Sequence, residues 1–382
     1  MQTINHLTLS VVENIADIAE SEWQQCAEGA LPFSDYRFLR ALEETACVDK
    51  AAGWQAVHVV IKDEDTVVAI LPLYVKGNSW GEYVHDWSWA DAYGQHGIPY
   101  YPKLVTATPF SPVSGNKLLI LPGYRSYSDE LLMTVINFLS KQLNAFSGFH
   151  WLFSGGVETT FLSTQPLLKR QSVQFHWLNN EYSDFDDFLG SLKSRKRKAI
   201  QKERRSIAES ELEIFELSGA DIDSETLRVF FDCYENTYEV RGMPPHLTLA
   251  FFERLIQDMP EHIMMKVARK HGAIVAAAFF IHDKTTLYGR YWGALVDIPF
   301  LHFELCYYQG IEFAIKNKLS YFNPGTQGEH KIARGFSPVY CYSFHQIAHT
   351  GFRQAIEKFC ADECDQVDQY YTNVQQLLPY KN

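Results

Sequence analysis

No apolar run in the 382 residues approaches the roughly 20 needed to cross a bilayer. The opening, MQTINHLTLSVVENIADIAE, lacks the charged n-region and apolar h-region of an export signal, so the expectation is a protein without a transmembrane segment, located in the cytoplasm. Cysteine is scarce, odd in number and scattered (Cys26, Cys47, Cys233, Cys306, Cys341, Cys360, Cys364), which argues against a disulfide framework and for a reducing compartment. An excess of cations is missing too. With 34 Lys and Arg against 46 Asp and Glu the net charge is −12, and a general nucleic-acid binder would be basic overall, so DNA is excluded as a partner.

What is present is enough chain for two domains with ample cores. Aromatics reach 14%, with 21 tyrosines and 8 tryptophans, a composition that suits a Tyr-rich core or a binding cleft with rigid amphipathic walls. An internal repeat supports the domain count. LPFSDYRFLRALEET followed by HVVIKDEDTVVAILPLYV is paralleled later by MPPHLTLAFFERLIQD and MMKVARKHGAIVAAAFFIH. In each, a Pro-opened helix carrying aromatics precedes two strands joined by a charged turn. Two similarly folded domains are expected, residues 1–180 and residues 181–382, with a ligand cleft between them.

The densest concentration of chemistry is Leu301 to Phe336. Phe303, Tyr307, Ile311, Ala314 and Ile315 form one buried helical stripe, and His302 and Glu304 fall in the first turn, where backbone dipoles favour an anion. LSYF reads as a short strand ended by Asn323-Pro324-Gly325. Beyond it stand Thr326, Gln327, Gly328, Glu329, His330, Lys331 and Arg334, in a loop whose glycines free backbone N–H groups to face a ligand. Tyr307 and Tyr308 of the helix join Gln327, Gly328, Lys331 and Arg334 as candidate substrate contacts.

Two other stretches are candidates. Tyr83 to Lys117 reads as a long irregular loop rich in Trp, Tyr and Pro, from which Asp86, Trp89, Tyr93, Tyr100, Tyr101 and Lys103 would form a cleft wall or cover a core edge. The run Ser183 to Ser210 is helical, with Ser183 and Asp186 as a capping pair, and eight cations against Glu203 crowd into residues 193–205 of an acidic chain. Its Arg195, Lys196, Arg197 and Lys198 are candidate phosphate contacts, although a solvated face explains such a helix equally. A zinc site from His345, His349, Cys360 and Cys364 is not expected, because Phe352, Ile356, Phe359 and Cys360 give the intervening residues a helical apolar face; no metal is predicted.

The helix, hairpin, strand and helix order resembles the GNAT (N-acyltransferase) fold, and its tandem use resembles the FemAB-type aminoacyltransferases. DWSWADAYGQHGIPYYPK, SRKRKAIQKERR and above all LHFELCYYQGIEFAI with NPGTQGEHKIARGF are similar to bacterial proteins labelled peptidoglycan biosynthesis/recognition, over nearly the whole chain. The resemblance implies an α+β (α/β) fold of two GNAT-like domains with mixed, mainly antiparallel sheets flanked by helices. It implies transfer of an acyl or aminoacyl group to an amine of a cell-wall precursor or similar anionic acceptor. No tightly bound cofactor is expected. The donor would be acyl-CoA or an aminoacyl-tRNA; Arg290-Tyr-Trp-Gly293-Ala-Leu295 matches only the first half of the pyrophosphate loop of acetyl-CoA enzymes, and tRNA suits the basic run.

Such a reaction needs a base, oxyanion donors and an anion anchor. Glu304 or Glu329 is the expected base, with His302 or His330 as alternative proton carrier. Gln327 and the amides near Gly328 would face the oxyanion, and Lys331 and Arg334 would anchor the substrate. A recognition module without turnover, and an RNA or tRNA binder acting through the basic helix, are the two rival readings. Oligomeric state is not legible.

Overall fold

The computed structural model describes residues 7–326 and 328–381. His6, expected in the first strand, and Gln327, expected at the oxyanion, lie outside the described residues. The chain divides into two compact units, Met1–Ser172 with Cys341–Val367, and Val173–Tyr340 with Asp368–Asn382. The sequence pattern places a single boundary at residue 180; in the fold, residues 341–367 return to the first unit.

The first unit runs through β1 (Leu7–Val12), α1 (Glu20–Cys26), α2 (Tyr36–Glu44), β2 (Trp54–Ala56), β3 (His58–Asp63), β4 (Thr66–Leu71), β5 (Tyr74–Lys76), α3 (Trp87–Gln95), β6 (Lys103–Thr106), β7 (Leu119–Ile120), α4 (Ser128–Lys141), β8 (Gly148–Ser154), α5 (Gly156–Leu162) and the start of β9 (Leu168–Leu178). Strands β1, β3, β4 and β7 form one antiparallel sheet in that order. The hairpin strands expected as Gln55–Lys62 and Thr66–Lys76 are each cut in two. Pro72 has no N–H to give a ladder, and there the chain leaves β4 for β5, which pairs with β2 and β6 instead. Strand β6 is parallel to β8, and residues 342–347 pair antiparallel on the other side of β8.

The stretch expected as an irregular loop from Tyr83 contains α3. Trp89 and Tyr93, one turn apart on that helix, are buried among Tyr100, Leu168, Ile347, Ile356 and Cys360. Phe161 and Leu168, seven residues apart, fall in different elements, Phe161 near the end of α5. Leu168 instead starts β9.

The second unit continues β9 and adds α6 (Phe185–Ser191), α7 (Ser194–Ala208), β10 (Leu212–Ser218), α8 (Ser224–Glu239), α9 (Leu249–Asp258), β11 (Ile263–Lys270), β12 (Ala273–His282), β13 (Thr286–Ala294), α10 (Leu301–Phe303), a π-helical turn (Glu304–Tyr308), α11 (Gln309–Lys316), β14 (Tyr321–Asn323) and β15 (Ser337–Ile347), which runs on into the first unit. Helix α6 is capped by Asp184, whose carboxylate accepts from Asp187 N at 2.8 Å, rather than by Ser183. The strand order is β10-β11-β12-β13-β14-β9. All its pairs are antiparallel except β13 with β14, so this unit too has one parallel pair, joined by a helical crossover.

On the neighbouring α8, packing depends on bare backbone. A Cβ at Gly293 would stand 1.8 Å from Cys233 O, so α8 reaches β13 only because residue 293 is glycine. The expected stripe Tyr307, Ile311, Ala314 and Ile315 is buried with Phe322 and Phe336. Helix α12 (Thr350–Gln376) follows. Among the described residues no helix is long and apolar enough to cross a membrane, and no disulfide joins the cysteines.

Candidate active site

Strands β13 and β14 are paired only over Thr286 to Tyr288, opposite Tyr321 to Asn323. Past that point β13 continues without its parallel neighbour. Two of its carbonyls there are taken by α8 instead: Trp292 O accepts from Thr237 Oγ1 at 2.9 Å and Ala294 O from Asn236 Nδ2 at 2.7 Å. These bonds hold the end of β13 against α8 without filling the space beyond it. A cavity of about 400 Å³ results, at the C-terminal end of the strand, walled by Arg241, Trp292, Asp297, Leu301 and His302 among others. Open α/β sheets bind ligands in this position.

His302 stands where α10 begins, on the cavity wall. Its ring lies 5.3 Å from Trp292, 5.2 Å from Tyr307 and 6.1 Å from His330. Burial, then His330, Lys331, Arg334 and Arg241, push its pKa down to about 4. A neutral imidazole in cationic surroundings offers one N–H and one lone pair to the cavity, and its environment favours electron density arriving on a ligand oxygen.

The other residues singled out in this stretch are placed differently. Glu304 is buried and held by Arg204, whose Nη2 and Nε lie 3.0 and 3.2 Å away, and by Gln309 Nε2 at 2.8 Å. It is an interior ion pair rather than a base open to a ligand. Arg334 donates to both carboxylate oxygens of Glu203 at 2.8 and 2.9 Å, to Tyr308 Oη at 2.9 Å and to His330 O at 2.8 Å, with its guanidinium 3.5 Å over the Phe303 ring. Its charge is spent on tying the loop to α7, so it is not an open anion anchor. Tyr308 donates to Glu203 as well and, with Tyr307, is buried. Tyr307 Oη sits 2.8 Å from His330 Nε2.

Glu329 is exposed and accepts from Tyr370 Oη at 2.9 Å. Burial and the Arg334 and Lys331 cations lower the pKa of His330, which is also exposed. Lys331 is buried, donates to Gly325 O at 2.6 Å, and its pKa falls to about 7 through burial and the nearby Arg290. Gly328, at φ +107, precedes the 3-10 turn Glu329–Arg334, and a Cβ there would meet the His330 ring at 2.0 Å. The π turn was not legible in the sequence. It spans Glu304–Tyr308 and still leaves Phe303 stacked on Tyr307, with ring centroids 6.0 Å apart; such turns concentrate at functional sites.

In the first unit the expected cleft wall is an interior cluster. Lys103, with no exposed surface, donates to Asp86, to Glu82 at 2.8 Å and to Ser79 at 2.9 Å; Asp86 also accepts from Tyr100 at 2.6 Å, and Tyr101 meets Ser79 at 2.8 Å. Trp89 and Tyr93 are core residues, and Tyr93 stacks on Phe352 with centroids 3.9 Å apart. His345, considered for zinc, spends one nitrogen on His150 and the other on Ser343. On α7, Glu203 and Arg204 face inward while Arg195 and Lys198 are exposed and Lys196 and Arg197 half-buried. No carboxylate pairs with these four among the described residues.

The sequence matches, over residues 14–382, the FemAB-like family described as peptidoglycan biosynthesis/recognition. The chain belongs to this family. The FemAB-like protein superposes on FemX with a TM-score of 0.54 at 13% identity, covering 89% of its own length and 98% of FemX. It matches the C-terminal domain of an Agrobacterium fabrum protein described as a putative lysylphosphatidylglycerol synthetase (TM-score 0.53, 9% identity, 90% and 95% covered) and a Bacteroides thetaiotaomicron protein of unknown function (0.50, 13%, 88% and 99%). At these identities the likeness is one of fold, an α+β architecture of two compact units. A search of curated sequences returns no match.

Proposed function

We propose that this FemAB-like protein is an N-acyltransferase, working in the cytoplasm, that passes an acyl or aminoacyl group from an activated ester or thioester to an amine on a cell-wall precursor. The observation that carries the reading is the meeting of His302 with a cavity at the open end of β13. In acyl transfer the amine nitrogen bonds to the donor's carbonyl carbon, negative charge gathers on the carbonyl oxygen, and the C–O or C–S bond then breaks, the departing oxygen or sulfur taking up the proton that the amine gives up. His302, kept neutral, donates its N–H to that oxygen, and Arg241 adds positive charge to the same wall. The family's description, peptidoglycan biosynthesis/recognition, supports the precursor as acceptor.

The donor is a polyanion bound on the outer face of α7. For this part, Arg195→Glu with Lys198→Glu is expected to weaken binding of a charged tRNA and to flatten its salt dependence by roughly one unit of slope for each phosphate no longer neutralised. An unchanged slope removes α7 from donor binding.

The test of the whole reading is to incubate the purified protein with acyl-CoAs or charged tRNAs and nucleotide-linked muropeptides, and to follow acylation of the amine by mass spectrometry. A recognition module without turnover draws support from the engagement of Glu304 and Arg334 in internal pairs. Muropeptide binding with no acylated product from any donor would establish that alternative.

A further inference from the structure

The first unit holds a cavity of about 300 Å³ that acyl transfer as proposed does not use. Its wall combines aromatic rings, Tyr83, Phe153, Tyr342 and Phe359, with Arg170, Ser343 and Glu363. Arg170 is clamped to Glu363 through two bonds of 2.7 and 2.6 Å and donates a third to His85 O at 2.9 Å. The pair is neutral as a unit, so it does not select a net charge. It still leaves two guanidinium N–H groups and carboxylate lone pairs to spend.

Ser343 is 4% exposed, and its Oγ lies 2.9 Å from His345 Nε2. His345 Nδ1 lies 2.7 Å from His150 Nδ1, while His150 Nε2 is buried with no partner. Burial and the cations Lys103 and Arg170 keep both rings neutral, His150 down to about 3 against the opposing pull of Asp86, and His345 well below its ordinary value. Each ring therefore carries one hydrogen, and one of them must lie between the two Nδ1 atoms.

Were His345 to supply it, His150 would hold its hydrogen on Nε2, a buried donor facing nothing. The reverse leaves only a bare lone pair there, the lesser cost. His150 Nδ1–H thus donates to His345, and His345 Nε2–H donates to Ser343 Oγ. The serine oxygen is fixed as an acceptor, so its own hydrogen is left without a protein acceptor among the described residues, on the wall of the cavity.

We infer that this cavity binds an uncharged secondary amide, whose carbonyl oxygen takes the Ser343 hydroxyl hydrogen while its N–H faces Glu363 and its flanking carbons meet the aromatic rings. A carboxylate would lack a cation not already paired, and a hydrocarbon would leave the serine donor unmet. An amide supplies both the acceptor and the donor that the wall lacks. The N-acetyl group of an amino sugar and a peptide bond share this chemistry.

The inference uses no residue of the proposed active site and is tested without a donor or turnover. The full chain is titrated with N-acetylglucosamine, with glucose and with N-acetylalanine methylamide, observed by NMR saturation transfer and calorimetry. Binding of the first or third, with glucose not bound, is expected; which of the two binds identifies the source. Ser343→Ala should weaken that binding about fivefold, the effect of one neutral hydrogen bond. Histidine 15N spectra of the unaltered protein should show the Nδ1–H form at His150 and the Nε2–H form at His345, a readout that does not depend on the variant folding. No binding of either amide, equal binding of glucose, unchanged affinity in a folded Ser343→Ala, or an Nε2–H on His150 would each overturn the inference.

Discussion

His302→Ala should lower turnover by about 10²–10³-fold, the loss expected when one donor to a developing oxyanion is removed. His302→Gln should recover part of it, since an amide N–H from a side chain of similar reach can serve the same oxygen. The partial recovery separates two roles. A general base replaced by glutamine is as inactive as one replaced by alanine, because an amide does not accept the amine's proton at neutral pH.

The pH dependence separates them again. With its pKa near 4, His302 is uncharged from about pH 5 upward, so the ratio of wild-type to His302→Gln kcat should stay flat from pH 5 to 9. A ratio that climbs as pH rises through the acid range would identify His302 as a base. Stability supplies the control. The folded protein holds the ring neutral below its ordinary value of 6.5, and the unfolded chain takes up a proton there. His302 therefore costs stability as pH falls from 6.5 toward 4, and removing it should not lower the melting temperature in acid. A variant that is inactive because it is unfolded is thereby distinguished from one inactive through chemistry.

The elements most legible in the sequence were those whose pattern is set locally. The β11–β12 hairpin, with its turn at Lys270-His271-Gly272, and α9 follow from apolar runs, caps and turn residues, and the structure has the helix within LTLAFFERLIQD and the two strands along MMKVARKHGAIVAAAFFIH. Helix α3 was missed because Trp87, Trp89 and Tyr93 sit among prolines and glycines that read as loop. Its stability comes from the core that Trp89 and Tyr93 enter, which is a tertiary fact. The division of each hairpin strand of the first unit was missed because β3 and β4 are buried almost continuously, so the apolar run carries no mark of the point where the chain changes sheets.

The candidate site divides along the same line. His302 was singled out by residue type and by its place in a helical first turn, both sequence properties. Arg241, Trp292 and Asp297 reach the same cavity from separate elements, and nothing in their local spacing marks them. Glu304 and Arg334 were attractive because they are charged and near a turn. Their partners, Arg204 and Glu203, are adjacent on α7, 100 and 131 positions away. Only folding reveals that those charges are already neutralised. The same helix explains the ambiguity of the basic run: its Arg195 and Lys198 face out, and its 203–204 pair faces in, and a net-charge reading cannot separate them.

Arg204→Ala tests that inward half. The substitution strips Glu304 of both guanidinium bonds, Glu312 of a bond of 2.6 Å and Phe185 of a cation 4.5 Å from its ring centre. It leaves a carboxylate only 4% exposed facing a single amide donor, Gln309. Breaking a buried pair on one side costs about 3–5 kcal/mol, and because Arg204 itself is 26% exposed the lower end, about 3, is expected from urea unfolding at neutral pH. Glu304→Gln in the Arg204→Ala background should recover most of the loss, since a neutral amide is cheaper to bury. Glu304→Gln alone should keep turnover near wild type once corrected for folded fraction. A loss of several orders of magnitude in that single variant would instead return Glu304 to the mechanism, and a deficit under about 1 kcal/mol in Arg204→Ala, the range of an exposed pair, would show that the pair does not hold the start of the helix to α7.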